Sequence, residues 1–475
     1  MGNVDVLSDR YATPEINEIF SAKGKNIRER RFWLSVMKAQ KALGYDIPSE
    51  DIEKFERVVE NVNLERIREK ELKTRHDIKA KIESFVEDAG AGEYVHRGMT
   101  SRALTDNVEM IQIRDASKII FGRNVSVLRH FLERAKEFRD IVMTARTHHQ
   151  PAQATLLGRR FSMWAEEHHY HLLRFEKFIE DYPLRGIKGP VGTHLDMIKL
   201  LGSEENVLKL EKRIAQENGF KRVLNSPGQV YPRSLDYALG ANLVGLSAAL
   251  QSFATTMRLM GGYETMTEGF KKGQVGSTAM PYKMNTRSSE RVCGFSKILK
   301  GYQFMLAQNS GDQWEEGDVS CSAVRRVAIP GMFYAMDGMC ETGLTILNEL
   351  GAYHAMIDKE LNRYIEFLAG TEMLMTAIGK GIGREEGHEV IKEHAIPAAL
   401  AMREKGENPN LVSRLIKDKR FQEAGITRGD LESNLSDKKY FTGNAGSQIT
   451  QVAHDCFPLL KKYSEQAKYE PGQIL

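Results

Sequence analysis

Apolar residues recur every three to four positions through Gly24–Leu43 and Glu50–Lys70, set among dense charge. That is the spacing of amphipathic helices. The second run closes near Thr74-Arg75-His76-Asp77, and a further helix is expected from about Ile78 to Ala89, stopped by Gly90-Ala91-Gly92. A long periodic segment follows Thr105-Asp106-Asn107 and continues to about Asp140. Pro151 then marks a break before a helix over roughly Thr155–Asp181. Leu235–Tyr263 and Arg291–Gln308 are long and apolar over much of their circumference. Helices of that kind belong in the centre of a bundle. Beyond about Gly351 the segments become shorter and more charged, which predicts a small C-terminal domain. Alternating strand patterns of the Rossmann type are absent, so the chain reads as all-α.

The composition adds limits. At 475 residues the chain has room for two to four domains. A net charge of only +3 gives no reason to expect nucleic acid or a membrane surface as partner. No run is long and apolar enough to span a bilayer, and the N-terminus lacks a signal pattern. Cys293, Cys321, Cys340 and Cys456 are scattered without metal-binding spacing, which suggests reduced thiols in the cytosol. GKGIGR at Gly379–Arg384 has no strand before it and reads as a helix–helix turn. EEHHYH, with His168, His169 and His171, lacks metalloprotease spacing and reads as a polar helix face.

The chemistry sits where polar islands interrupt the helices. The densest is Lys272–Arg291, KGQVGSTAMPYKMNTRSSER, where Gly273 and Gly276 allow close backbone approach to a ligand. Ser277 and Lys283 there can face one anion. Other islands are Arg10-Tyr11, Thr74–Asp77, Thr100-Ser101, Arg146–Gln153, Gln229–Arg233 and Ser322–Arg326. Together they suit a ligand bearing several anionic groups. His76 and His148 are the candidate acid–base groups. On the residues alone this is a helical cytosolic enzyme with a composite anion site and an unnamed substrate.

Gly276–Thr286, GSTAMPYKMNT, resembles the signature of the fumarase/aspartase superfamily, and AMPYK followed by SER is similar to its adenylosuccinate lyase family. RYATPE (Arg10–Glu15), TRHD (Thr74–Asp77), RTHHQPAQAT (Arg146–Thr155), KGPVGT (Lys188–Thr193), GQVY (Gly228–Tyr231) and the segment EMLMTAIGKGIGREEGHEVIKEHA resemble it too, in order along the chain. The resemblance implies a three-domain, fumarase/aspartase-type fold with boundaries at 1–99, 100–351 and 352–475. A central five-helix bundle would join three others in a twenty-helix homotetramer core, with active sites shared between subunits. It implies a cofactor-free and metal-free β-elimination of fumarate from adenylosuccinate and from the succinylated aminoimidazole carboxamide ribotide. In that picture Ser277 is the base and His148 the acid, with His76 and Lys283 also catalytic. Arg10, Tyr11, Arg75, Asp77, Thr100, Ser101, Thr147, Gln229, Met280, Asn285, Arg291, Ser322 and Arg326 would bind substrate. Met284 and Thr286 depart from the family's usual KRNP, and Gly317 stands where relatives often carry arginine. Another superfamily lyase, for argininosuccinate, carboxymuconate or a modified purine, and a crystallin-like structural role stay open.

Overall fold

Five long helices carry the chain's largest apolar surfaces, and they close on each other as a ring. The structure, a computed structural model, describes residues 5–269, 279–280 and 282–472. The ring consists of α7 (Ser101–Glu137), α8 (Leu157–Asp181), α11 (Ser234–Gly262), α12 (Arg287–Asn309) and α13 (Cys321–Glu349). Each packs against the next, and α13 returns to α7. An odd number of helices running up and down leaves one parallel pair. Here it is α7 with α13, as the contacts of Glu109 with Arg325, Arg123 with Asp337 and Arg134 with Leu347 show by rising together along both chains. Inside the ring, Phe131, Phe161, Trp164 and Phe253 interlock with ring centroids 5.2 to 6.2 Å apart.

The preceding helices are α1 (Val6–Arg10), α2 (Pro14–Phe20), α3 (Ala22–Ala42), α4 (Ser49–Arg57), α5 (Leu64–Thr74) and α6 (Asp77–Ala89). The single helix expected over Glu50–Lys70 is in fact α4 and α5. Asn63 separates them, its side chain accepting the Arg66 amide at 3.0 Å as an N-cap, which satisfies a donor that a continuous helix would have used elsewhere. Between α8 and α11 lie α9 (Leu195–Leu201) and α10 (Glu204–Glu217). After the bundle come α14 (His354–Leu368), α15 (Gly370–Gly379) and α16 (Arg384–Glu404). Three one-turn helices follow, α17 (Leu411–Leu415), α18 (Lys419–Glu423) and α19 (Arg428–Glu432). Met373, Ala377, Val390, Leu415 and Phe421 give this region its own small core. The chain then returns, and α20 (Ala445–Lys462) and α21 (Ser464–Ala467) lie along α7 and α8. Among the described residues no helix is long and apolar enough to cross a membrane.

Two local expectations are corrected. The connector around Arg146–Gln153 is a β-hairpin, β1 (Val142–Thr147) paired antiparallel with β2 (Gln150–Leu156). EEHHYH does not form a polar face throughout: His168 is fully buried, its Nε2 at 3.1 Å from the Asn124 carbonyl, and burial pushes its pKa down to about 4.

Candidate active site

Because α7 has 37 residues, its two ends stand about 55 Å apart. The residues expected to do chemistry fall into groups at these ends and along the bundle.

At the end where α7 stops, β1 and β2 turn through His148 and His149 alone, since Thr147 pairs with Gln150. The type I′ form of such a turn needs positive φ at both positions, and the histidines have φ of 49° and 61°. Left-handed backbone at a residue with a Cβ costs roughly 1 kcal/mol or more. His149 is held by a 3.0 Å contact between its Nε2 and the Tyr263 hydroxyl, and Arg146 stacks over the Tyr263 ring at 4.5 Å while pairing with Glu360 on α14. The hairpin is thereby braced from α11 and α14. Thr147 and His148 are left exposed.

Tyr263 also ends α11, so the segment leading to the 272–291 island leaves from the same place. Ser277 lies outside the described residues. Described residues on either side of that gap are tied to each other. Glu268, almost fully buried, accepts from the Ser288 amide at Oε1 (2.9 Å) and from the Ser289 amide and hydroxyl at Oε2 (2.9 Å each). Its carboxylate therefore caps the N-terminus of α12, where the helix dipole favours negative charge. Met280 is partly exposed, and its carbonyl accepts the Lys283 amide at 3.1 Å; the Lys283 side chain is exposed and Asn285 half-buried. One turn into α12, Arg291 lies over the Tyr11 ring at 5.4 Å, and Arg10 lies 6.0 Å from the same ring. Arg10, Tyr11 and Arg291 are thus brought together from opposite parts of the sequence.

The other end of the bundle holds a second group. Thr100 immediately precedes α7 and Ser101 opens it. Asp106 accepts the Tyr231 amide at 3.1 Å and pairs with Arg233, while Tyr231 donates its hydroxyl to Asp236 at 2.6 Å. Arg325 joins Asp236 (2.7 Å) and Glu109, and Lys25 reaches Glu109 at 3.0 Å. Burial alone would raise the Glu109 pKa, but Arg325 and Lys25 hold its carboxyl well below the usual range. This buried lattice fixes the Gln229 connector and the neighbours of Arg325, Ser322 and the exposed Arg326, at the Thr100 end. Gln229 is further held by its amide, which donates to the Glu316 carbonyl at 2.6 Å. That approach needs glycine on both sides. A Cβ on Gly228 would lie 2.1 Å from the Glu316 carbonyl oxygen, and Gly317 has φ of 138° with Val230 at 3.0 Å from any added Cβ. The arginine that the resemblance led one to expect at 317 does not fit this backbone.

Arg75, His76 and Asp77 form the α5–α6 junction. Arg75 is left-handed (φ 54°), and the exposed His76 caps α6, its Nδ1 accepting the Lys79 amide at 3.3 Å. Nearby is His96, which the sequence reading did not single out although it stands four residues before Thr100. The Trp33 indole donates to its Nδ1 at 3.0 Å, so neutral His96 carries its proton on Nε2. Burial, with His76 adding to it, pushes its pKa down to about 4. The structure therefore places His76, Thr100, Ser101, Gln229, Ser322 and Arg326 towards one end, and Thr147, His148, Lys283, Asn285 and Arg291 towards the other.

The sequence model for the lyase family matches residues 10–299, and that for the adenylosuccinate lyase C-terminus matches residues 367–452. The chain is 33% identical to the adenylosuccinate lyase of Saccharomyces cerevisiae over 93% of its own length and 92% of that protein. It is 31% identical to that of Methanothermobacter thermautotrophicus, covering 94% and 97%. Among solved structures, the 3-carboxy-cis,cis-muconate lactonizing enzyme of Pseudomonas putida superposes with a TM-score of 0.83 at 16% identity, over 97% of this chain and 99% of that one. The fumarate lyase of Mesorhizobium gives 0.78 at 20%, over 94% and 98%. The latter two likenesses establish the all-α fumarase-type fold. The two family matches and the yeast relative establish the rest: the chain belongs to the adenylosuccinate lyase family, carbon–nitrogen lyases of the fumarase/aspartase superfamily.

Proposed function

We propose that this chain eliminates fumarate from adenylosuccinate, leaving AMP, and from succinylaminoimidazole carboxamide ribotide, leaving the carboxamide ribotide. Ser277 takes the proton from the carbon next to a succinyl carboxylate. The freed electron pair becomes the carbon–carbon double bond of fumarate as the carbon–nitrogen bond breaks. His148 protonates the departing nitrogen, which would otherwise leave poorly. Negative charge gathers on the carboxylate in the transition state, and Lys283 and Asn285 stabilise it from the 272–291 island, with Met280 lining the same pocket. Arg10, Tyr11 and Arg291 hold the phosphate. Thr100, Ser101, Thr147, Gln229, Ser322 and Arg326 hold the succinyl group and base, and Arg75, His76 and Asp77 complete the pocket. No cofactor enters this scheme.

The observation that carries the reading is the placement of His148 and His76 near opposite ends of a helix of about 55 Å. No mononucleotide spans that distance, so a site using both must draw on more than one chain. A homotetramer built on the bundles supplies this. The sequence from Tyr237 to Met257 contains no charged residue, yet Tyr237, Ala241, Ser252 and Thr255 on α11 are exposed. Phe304 on α12 is 64% exposed and Tyr170 on α8 57%. Uncharged helix faces of this extent suit burial against further copies. All four cysteines are buried and free, which fits a reducing compartment such as the cytosol. The test is fumarate release from adenylosuccinate by the purified protein, followed by ultraviolet absorbance with AMP measured in parallel. A folded, tetrameric protein that releases neither product from either substrate would overturn the proposal.

A further inference from the structure

The C-terminal tail crosses the bundle at the level where the Arg10–Tyr11 pair sits, and its contacts are more specific than end-packing requires. Glu341 on α13 is 2% exposed, and both its carboxylate oxygens are taken by the tail. The Tyr469 hydroxyl donates to Oε1 at 2.5 Å and the Gly472 amide to Oε2 at 2.8 Å. The Tyr469 carbonyl accepts the Ser126 hydroxyl at 2.7 Å, and Glu470 binds Arg129 (2.6 Å) and Asn348 (2.8 Å). These bonds pin the tail to both α7 and α13.

Beneath the Tyr469 ring lies Arg123, 3% exposed, with its guanidinium 5.1 Å from the ring centroid. Arg123 pairs with the fully buried Asp337, and these two hold Thr13. Arg123 donates to the Thr13 hydroxyl at 2.8 Å. Asp337 Oδ2 accepts the Thr13 amide at 2.7 Å and its hydroxyl at 2.9 Å. Thr13 ends the short stretch that carries Arg10 and Tyr11, and Tyr11 lies so close to α13 that a Cβ on Gly338 would come within 2.7 Å of its own. Glu341 is a second acceptor within reach of Arg123, with Oε1 3.8 Å from its Nε. With the tail in place the Glu341 oxygens are occupied and Arg123 faces Asp337 and Thr13. Without the Tyr469 hydroxyl, Glu341 Oε1 loses its donor while the tail still covers it, and it competes for Arg123 at the expense of Thr13.

We propose that Tyr469 is a positioning residue for the nucleotide-binding end of the site, acting through Glu341, Arg123 and Thr13 to set where Arg10 and Tyr11 stand. This rests on the reading that Arg10, Tyr11 and Arg291 bind the phosphate. It assigns a role in substrate affinity to a tail that touches no substrate.

The test compares Tyr469→Phe and Tyr469→Ala with the unaltered full-length enzyme, using adenylosuccinate. The first removes the bond to Glu341 and keeps the ring over Arg123; the second removes both. The expected result is a KM raised roughly three- to tenfold, larger for Ala, with kcat within about twofold. A purely structural role would lower thermal stability and leave KM unchanged, and that result overturns the proposal, as does a fall in kcat alone. Arg291→Ala in the same assay separates the two claims. If it fails to raise KM, the phosphate reading is wrong; if it raises KM while neither Tyr469 variant does, the positioning role is wrong.

Discussion

Two inactive variants should regain activity when mixed, by an amount that can be worked out beforehand. The perturbations are His76→Gln and His148→Gln, each expected to abolish turnover alone. His76 adjoins His96, just before α7 begins, whereas His148 tips the hairpin just after α7 ends. The intervening helix is about 55 Å long, so a site that uses both histidines would have to take them from different chains. Suppose the variants exchange freely and a fraction f of the chains carries native His76. A site is then intact with probability f(1 − f), which peaks at equal mixing at about one quarter of the native sites. Fumarate release would be measured across mixing ratios after mild dissociation and reassociation, with differently tagged chains followed by native mass spectrometry. Activity should trace that parabola. Silence at every ratio, with exchange demonstrated by the mixed masses, would refute the shared-site reasoning. Recovery well above a quarter would also refute it, since no random assignment of two single-mutant chains yields more.

Three further outcomes are expected. Ser277→Ala should abolish turnover while substrate still binds; more than a few per cent of native kcat would remove Ser277 as the base. Glu268→Gln places an amide N–H₂ against one of the Ser288 and Ser289 amides, a cost of about 1–3 kcal/mol, and kcat should fall at least about tenfold because the start of α12 beside the 272–291 island loosens. Unchanged kcat would show that this cap does not support catalysis. His168 titrates near 4 when folded, because burial opposes its charge, and near 6.5 when unfolded. Between these values the unfolded chain binds the extra proton, so this histidine's contribution is present above about pH 6.5 and lost as pH falls towards 4, by up to roughly 3 kcal/mol. Urea unfolding at several pH values should show a shallower slope over that window in His168→Gln, and an identical slope would rule the effect out.

Most helices were legible because apolar residues at a 3.6-residue period over twenty or more positions match the α-helix and no extended backbone; α3, α7, α8 and α11 fall within a few residues of the expected spans. The hairpin was not. Pro151 argues against a strand, and a His-His turn lacks the Asn-Gly signature, since its left-handed geometry is sustained by Tyr263 and by packing on α14, far along the chain. Asn63 was overlooked for a similar reason: one capping side chain splits a continuous apolar pattern. The polar islands could be found because each interrupts apolar helix, but their division between two ends of a bundle depends on helix direction, which residue spacing does not encode. His96 was missed because its environment depends on Trp33, sixty-three residues earlier.

The close passage of Gly228 beside Glu316, with Gly317 facing Val230, also limits which side chains the two positions accept. An arginine at 317 would strain this backbone and press on Val230, next to the amide bond that holds Gln229. Both glycines thus serve one hydrogen bond, that of the Gln229 amide to the Glu316 carbonyl. A scan that replaces either glycine would therefore read out the loss of the Gln229 bond rather than any property of the side chain introduced.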